Sequence, residues 1–132
     1  MVNTNLFLNL FRSKPGTEYK AGQTIIEAGT VGQSMFVVIE GAAEVQVAGK
    51  RIDVVGPGSI FGEMALIDDT PRSATVIAET DCRLVEVDRR RFEFMVSETP
   101  YFALAVMRVM ADRLRKANIK GAGASEPVPT VA

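Results

Sequence analysis

Residues 21–58 read AGQTIIEAGTVGQSMFVVIEGAAEVQVAGKRIDVVGPG. Eight of the chain's eleven glycines fall at 22, 29, 32, 41, 49, 56, 58 and 62, and they cut β-branched runs into strand-length pieces: TIIEA, SMFVVIE, AEVQVA and KRIDVVG. Short strands divided by regular turn signals point to an antiparallel sandwich or barrel-like roll. In AEVQVA, Val45 and Val47 alternate with Glu44 and Gln46, which gives the strand one inward and one outward face. Ala48-Gly49-Lys50 then turns the chain back as a hairpin. A second expected strand pair, SATVIAET and CRLVEVD, follows Pro71, with Thr80-Asp81 as its turn.

Beyond this β zone the period changes. Asp88 is placed to cap a helix, RRRFEFMVS supplies one or two turns, and Pro100 suits the first turn of a second helix. From Ala103 onward, Val106, Met107, Met110, Leu114 and Ala117 follow amphipathic spacing, so residues 89–120 are predicted to be helical. Such a helix either closes the open side of the roll or acts as a lid that responds to something bound there. At the other end, Leu6, Phe7, Leu8, Leu10 and Phe11 suit a short helix ending before Pro15-Gly16, expected as a docking segment and not as core. The expected organisation is a short helical segment over residues 1–20, one domain over 21–120, and a disordered tail over 121–132.

Composition removes several function classes. The 132 residues are 47% apolar, enough for one compact domain without metal or disulfide staples. With no histidine there is no His-ligated metal and no His-based hydrolase, so an enzyme is not expected. The single cysteine, Cys82, forms no internal disulfide, reads as a small buried strand residue, and fits a reducing, cytoplasmic setting. Fifteen basic against sixteen acidic residues give no global field for nucleic acid. Arg108, Arg113, Arg115, Lys116 and Lys120 face only Asp112, and this run reads first as a solvated helix face. No uncharged apolar stretch reaches about 18 residues, so no membrane insertion is expected.

The chemistry concentrates in residues 58–76, GSIFGEMALIDDTPRSATV. Phe61 to Leu66 can make one helical turn opened by Gly62, followed by an irregular bend before Arg72-Ser73 starts a strand. Arg72 offers a planar fork for phosphate and Glu63 an acceptor for hydroxyl groups, a pairing that suits a sugar phosphate. The same residues taken alone also fit a plain salt bridge and a strand-start hydroxyl.

FGEMAL followed by PRSATV resembles the phosphate-binding cassette of the cyclic nucleotide-binding domain family, which includes catabolite activator proteins, regulatory subunits of cyclic-AMP-dependent protein kinase and cyclic-nucleotide-gated channels. The likeness extends over roughly residues 20–120 and implies an antiparallel, jelly-roll-like β-roll with flanking C-terminal lid helices. It also implies that Glu63 accepts from the ribose 2′-hydroxyl, that Arg72 pairs with the cyclic phosphate, and that Gly62, Ser73 and Ala74 add donors around it. The full expected ligand set is Phe61, Gly62, Glu63, Met64, Ala65, Arg72, Ser73, Ala74 and Asn118, the last near the purine beside Ala117. Serine in place of threonine at 73 favours cyclic AMP over cyclic GMP.

The resemblance therefore implies a regulatory domain that binds a cyclic nucleotide, uses no cofactor or metal, and signals by moving its C-terminal helix to an unidentified protein effector. The alternative is a ligand-independent interaction domain of the same fold. Pairing of two copies through the long helix is a further expectation, DNA binding is not expected, and the ending of the chain soon after that helix suits either a stand-alone sensor, the favoured reading, or a piece of a larger protein.

Overall fold

The computed structural model describes residues 4–121. Its strands form two antiparallel four-stranded sheets facing each other, with no closed barrel among the described residues. In the first sheet, β1 (Thr17–Tyr19), β8 (Cys82–Asp88), β3 (Ser34–Glu40) and β6 (Ile60–Phe61) lie in that order. In the second, the order is β2 (Thr24–Ile26), β7 (Thr75–Ala78), β4 (Ala43–Val47) and β5 (Lys50–Val55). Helices α1 (Thr4–Phe11), α2 (Arg89–Glu98) and α3 (Pro100–Gly121) complete the described fold.

Strand β3 shows how this architecture follows from sequence. SMFVVIE is apolar at every position but its ends, the signature of a strand buried on both faces. Phe36 and Val38 point into the space between the sheets with Ile26, Val45, Val76 and Leu84. Met35, Val37 and Ile39 point the other way, where the helices cover them. By contrast β4, with its polar alternate positions, needs only one covered face. It turns into β5 through Ala48 and Gly49, both in the left-handed region at φ 53° and 78°, the geometry that matches strand twist in a two-residue hairpin.

The second core depends on aromatic side chains. Phe102, near the start of α3, meets Phe7, Phe11 and Phe92 edge-on at centroid distances of 6.1, 5.9 and 5.6 Å. Burying each such ring is worth about 1.5–3 kcal/mol. The N-terminal segment is thus a core element and not merely a docking one, because Phe7 and Phe11 lie one helical turn apart and are both fully buried. Asp88 caps α2 as expected, its carboxylate accepting from the Arg91 N–H at 2.8 Å.

Three further expectations need correction. Strands β7 and β8 are not a hairpin: β7 pairs with β2 and β4, β8 with β1 and β3, so Thr80-Asp81 carries the chain from one sheet to the other. β1 lies within the segment expected to be helical. On α3 the buried stripe is Phe102, Ala105, Val106, Val109 and Ala117, while Met107 and Leu114 are 55% and 62% exposed. Met107 lies about 100° round the helix from Val106, which turns it out of the buried stripe. Of the predicted tail, Gly121 ends α3 and residues 122–132 lie outside the described residues.

Candidate cyclic nucleotide site

Strand β6 delivers the chain to Gly62, whose φ of 80° lies in the left-handed region and turns it into a single 3₁₀ turn, Glu63–Leu66. This is the turn expected from FGEMAL. Phe61 stacks on Phe36 at 5.2 Å between the sheets, and Ala74 is fully buried in the same core. Their side chains therefore anchor the segment, leaving only backbone to face a ligand. Ala65 is buried, Met64 half-buried and Ser73 exposed. Asn118 lies in α3, but its side chain is outside the described residues.

Glu63 and Arg72 are the two buried charged side chains of this segment, 2% and 8% exposed. Arg72 is fastened at both ends. Its backbone N–H donates to Thr30 O at 2.8 Å and its carbonyl accepts from the Gly29 N–H at 2.9 Å. Its guanidinium donates to Gly62 O at 3.0 Å and to Ser34 O at 2.7 Å, joining the 3₁₀ turn to the start of β3. Burial pushes the Arg72 pKa down and nearby Glu63 and Glu86 push it back up. A guanidinium so placed keeps its charge and presents it in a site shielded from water.

One residue of the site escaped sequence reasoning. Arg113 of α3, counted above only within a basic run, donates to Glu63 Oε1 at 2.7 Å and to the Ile60 carbonyl. A signal for it existed. Position 113 continues the buried stripe 102, 106, 109 at helical spacing, and a cation on a buried stripe demands a buried acid. At the same site, Arg89 at the start of α2 reaches the Ala65 carbonyl at 3.4 Å and Asp69 at 3.3 Å. Both helices are thus tied to the segment that carries Glu63.

A family model described as the cyclic nucleotide-binding domain matches residues 17–99. The chain belongs to this family. Among relatives of the cyclic nucleotide-binding domain, a cyclic nucleotide-gated potassium channel of Mesorhizobium japonicum is 35% identical over 120 residues, covering 91% of this chain and 32% of the channel. A CRP-like cAMP-activated global transcriptional regulator of Mycobacterium tuberculosis is 27% identical over 76% of this chain and 47% of its own length. The chain therefore spans about a third of the channel and about half of the regulator. The crystal structure of the Thermus thermophilus catabolite activator protein superposes with a TM-score of 0.75 at 29% identity, covering 88% of this chain and 55% of that one. No helix among the described residues is long and apolar enough to cross a membrane, and no cluster of metal-binding side chains occurs among them.

Proposed function

We propose that this chain is a regulatory domain that binds a cyclic nucleotide, cyclic AMP in preference to cyclic GMP, and reports binding through α3. The observation that carries the proposal is that Glu63 and Arg72 are both present and both buried in one short segment of a cyclic nucleotide-binding domain. In this reading Arg72 holds the cyclic phosphate, Glu63 accepts from the ribose hydroxyl, and Gly62, Ser73 and Ala74 supply the remaining donors. Phe61, Met64 and Ala65 shape the turn, and Asn118 lies near the base. Residues 21–120 are the binding unit, with α1 packed onto it through Phe7 and Phe11.

The bond from Arg113 to Glu63 supports the coupling. A ligand hydroxyl that reaches Glu63 meets an acceptor already shared with α3, so occupancy of the site and the position of α3 depend on each other. The shift is limited to the difference in ligand affinity between the two helix positions. The ligand leaves unchanged, the output passes to a protein effector, and the location is cytoplasmic. Four cations of α3 with described side chains favour no nucleic-acid role: Arg113 is engaged with Glu63, Arg115 and Lys116 with Asp112, and Arg108 with Tyr101. Outward-facing Leu104, Met107, Ala111 and Leu114 repeat at intervals of three, four and three residues, a seam suited to a second copy of the helix.

Calorimetric titration of the wild type and Arg72→Ala with cyclic AMP and cyclic GMP tests the reading. Charge-assisted bonds contribute about 1.5–3 kcal/mol each, so Arg72→Ala is expected to lose roughly two decades of affinity while keeping its fold. Unchanged affinity in Arg72→Ala, or no binding by the wild type, would overturn it.

A further inference from the structure

Seven glycines among the described residues have positive φ, which explains why they are glycine; Gly32, in the loop between β2 and β3, is not one of them. Its φ lies outside the left-handed region, so the backbone does not itself require glycine. What occupies the space where a side chain would stand is the guanidinium of Arg72: a Cβ built on Gly32 would lie 2.6 Å from Nε and 2.8 Å from Cζ, and closer still to Nη2. These atoms are the far end of a flexible side chain, so an added methyl would displace Arg72 and leave the backbone where it is.

We propose that Gly32 is the positioning residue for Arg72, leaving open the space from which the guanidinium reaches both Gly62 O and Ser34 O. The proposal rests on the reading of Arg72 as the phosphate grip, and it adds the specific claim that affinity depends on the room Gly32 leaves for that guanidinium. A methyl at 32 moves a planar fork whose use depends on its direction.

The experiment compares the full wild-type chain with Gly32→Ala, Arg72→Ala and the double variant. Melting curves, cyclic AMP and cyclic GMP titrations, and the Arg72 Nε–H resonance of isotope-labelled protein are the readouts. Gly32→Ala is expected to melt within a few degrees of wild type, to shift that resonance and hasten its exchange with water, and to weaken binding about 10- to 100-fold. Added to Arg72→Ala, it is expected to cost no further affinity. An unmoved resonance with unchanged exchange overturns the proposal, as does wild-type affinity in Gly32→Ala. Should Gly32→Ala fail to fold, Arg72→Ala must restore folding, and a failure of that rescue overturns it too. Should the wild type bind neither nucleotide, the proposed function falls, and the resonance and the rescue still decide the role of Gly32.

Discussion

Replacing Arg113 by methionine removes the guanidinium while keeping a long side chain that packs along the same stripe. Two hydrogen bonds are lost, one to Glu63 Oε1 at 2.7 Å and one to the Ile60 carbonyl. Glu63 is left with its side chain only 2% exposed, whereas Arg113 itself is 22% exposed and so partly screened by water. Charge-assisted bonds of about 1.5–3 kcal/mol each, taken at the low end for that screening, give a loss of about 2–3 kcal/mol. For a chain of this size that corresponds to a fall in Tm of about 10 °C. Thermal unfolding at neutral pH reads the total, and amide exchange along α3 reads where it arises. The companion variants are Glu63→Leu and the double replacement. Replacing both members of a buried pair by apolar groups is close to neutral, so the double variant should recover most of the loss that either single causes. A Tm for Arg113→Met within about 2 °C of wild type would refute the reasoning, as would single costs that simply add in the double variant.

Phe102→Ala opens a cavity among Phe7, Phe11 and Phe92 and should cost about 3–5 kcal/mol by denaturant titration, with α1 losing its amide protection first. Burial, with a smaller contribution from Asp81, pushes the Cys82 thiol above its ordinary value of 9.0. The native thiol then stays protonated when the unfolded one ionises, so its contribution is fully present below about pH 9 and is lost as pH rises beyond it. Wild type should accordingly lose stability above that pH more steeply than Cys82→Ala. Leu114→Glu, on the outward stripe of α3, should abolish any concentration-dependent dimer in sedimentation without moving the Tm by more than a degree or two; a monomeric wild type would refute the seam.

Much of the β architecture was legible because its signals are local. The Ala48-Gly49 hairpin, the helical turn opened by Gly62 and the Asp88 cap each depend on residues within a few positions of one another. Glu63 and Arg72 also stood out, each being the one charged residue of its motif, FGEMAL and PRSATV. Partnering was less accessible. SATVIAET and CRLVEVD look like a hairpin because they are adjacent, but each is a central strand needing neighbours on two sides, and those neighbours lie far away in sequence. Phe7 and Phe11 looked like a detachable patch because the ring that receives them, Phe102, is more than ninety residues away.

By itself, then, the sequence determined where the longer strands run, the Ala48-Gly49 hairpin, the Asp88 cap and the pair of charges that suit a sugar-phosphate site, since all of these follow from short-range backbone and side-chain preferences. Tertiary structure alone decided what those charges touch. It turned Arg72 toward two backbone carbonyls, brought Arg113 from α3 onto Glu63, and set the Arg72 guanidinium in the space beside the bare Cα of Gly32. Those outcomes arise because a buried charge must find its partners in three dimensions, and because two side chains cannot fill the same space.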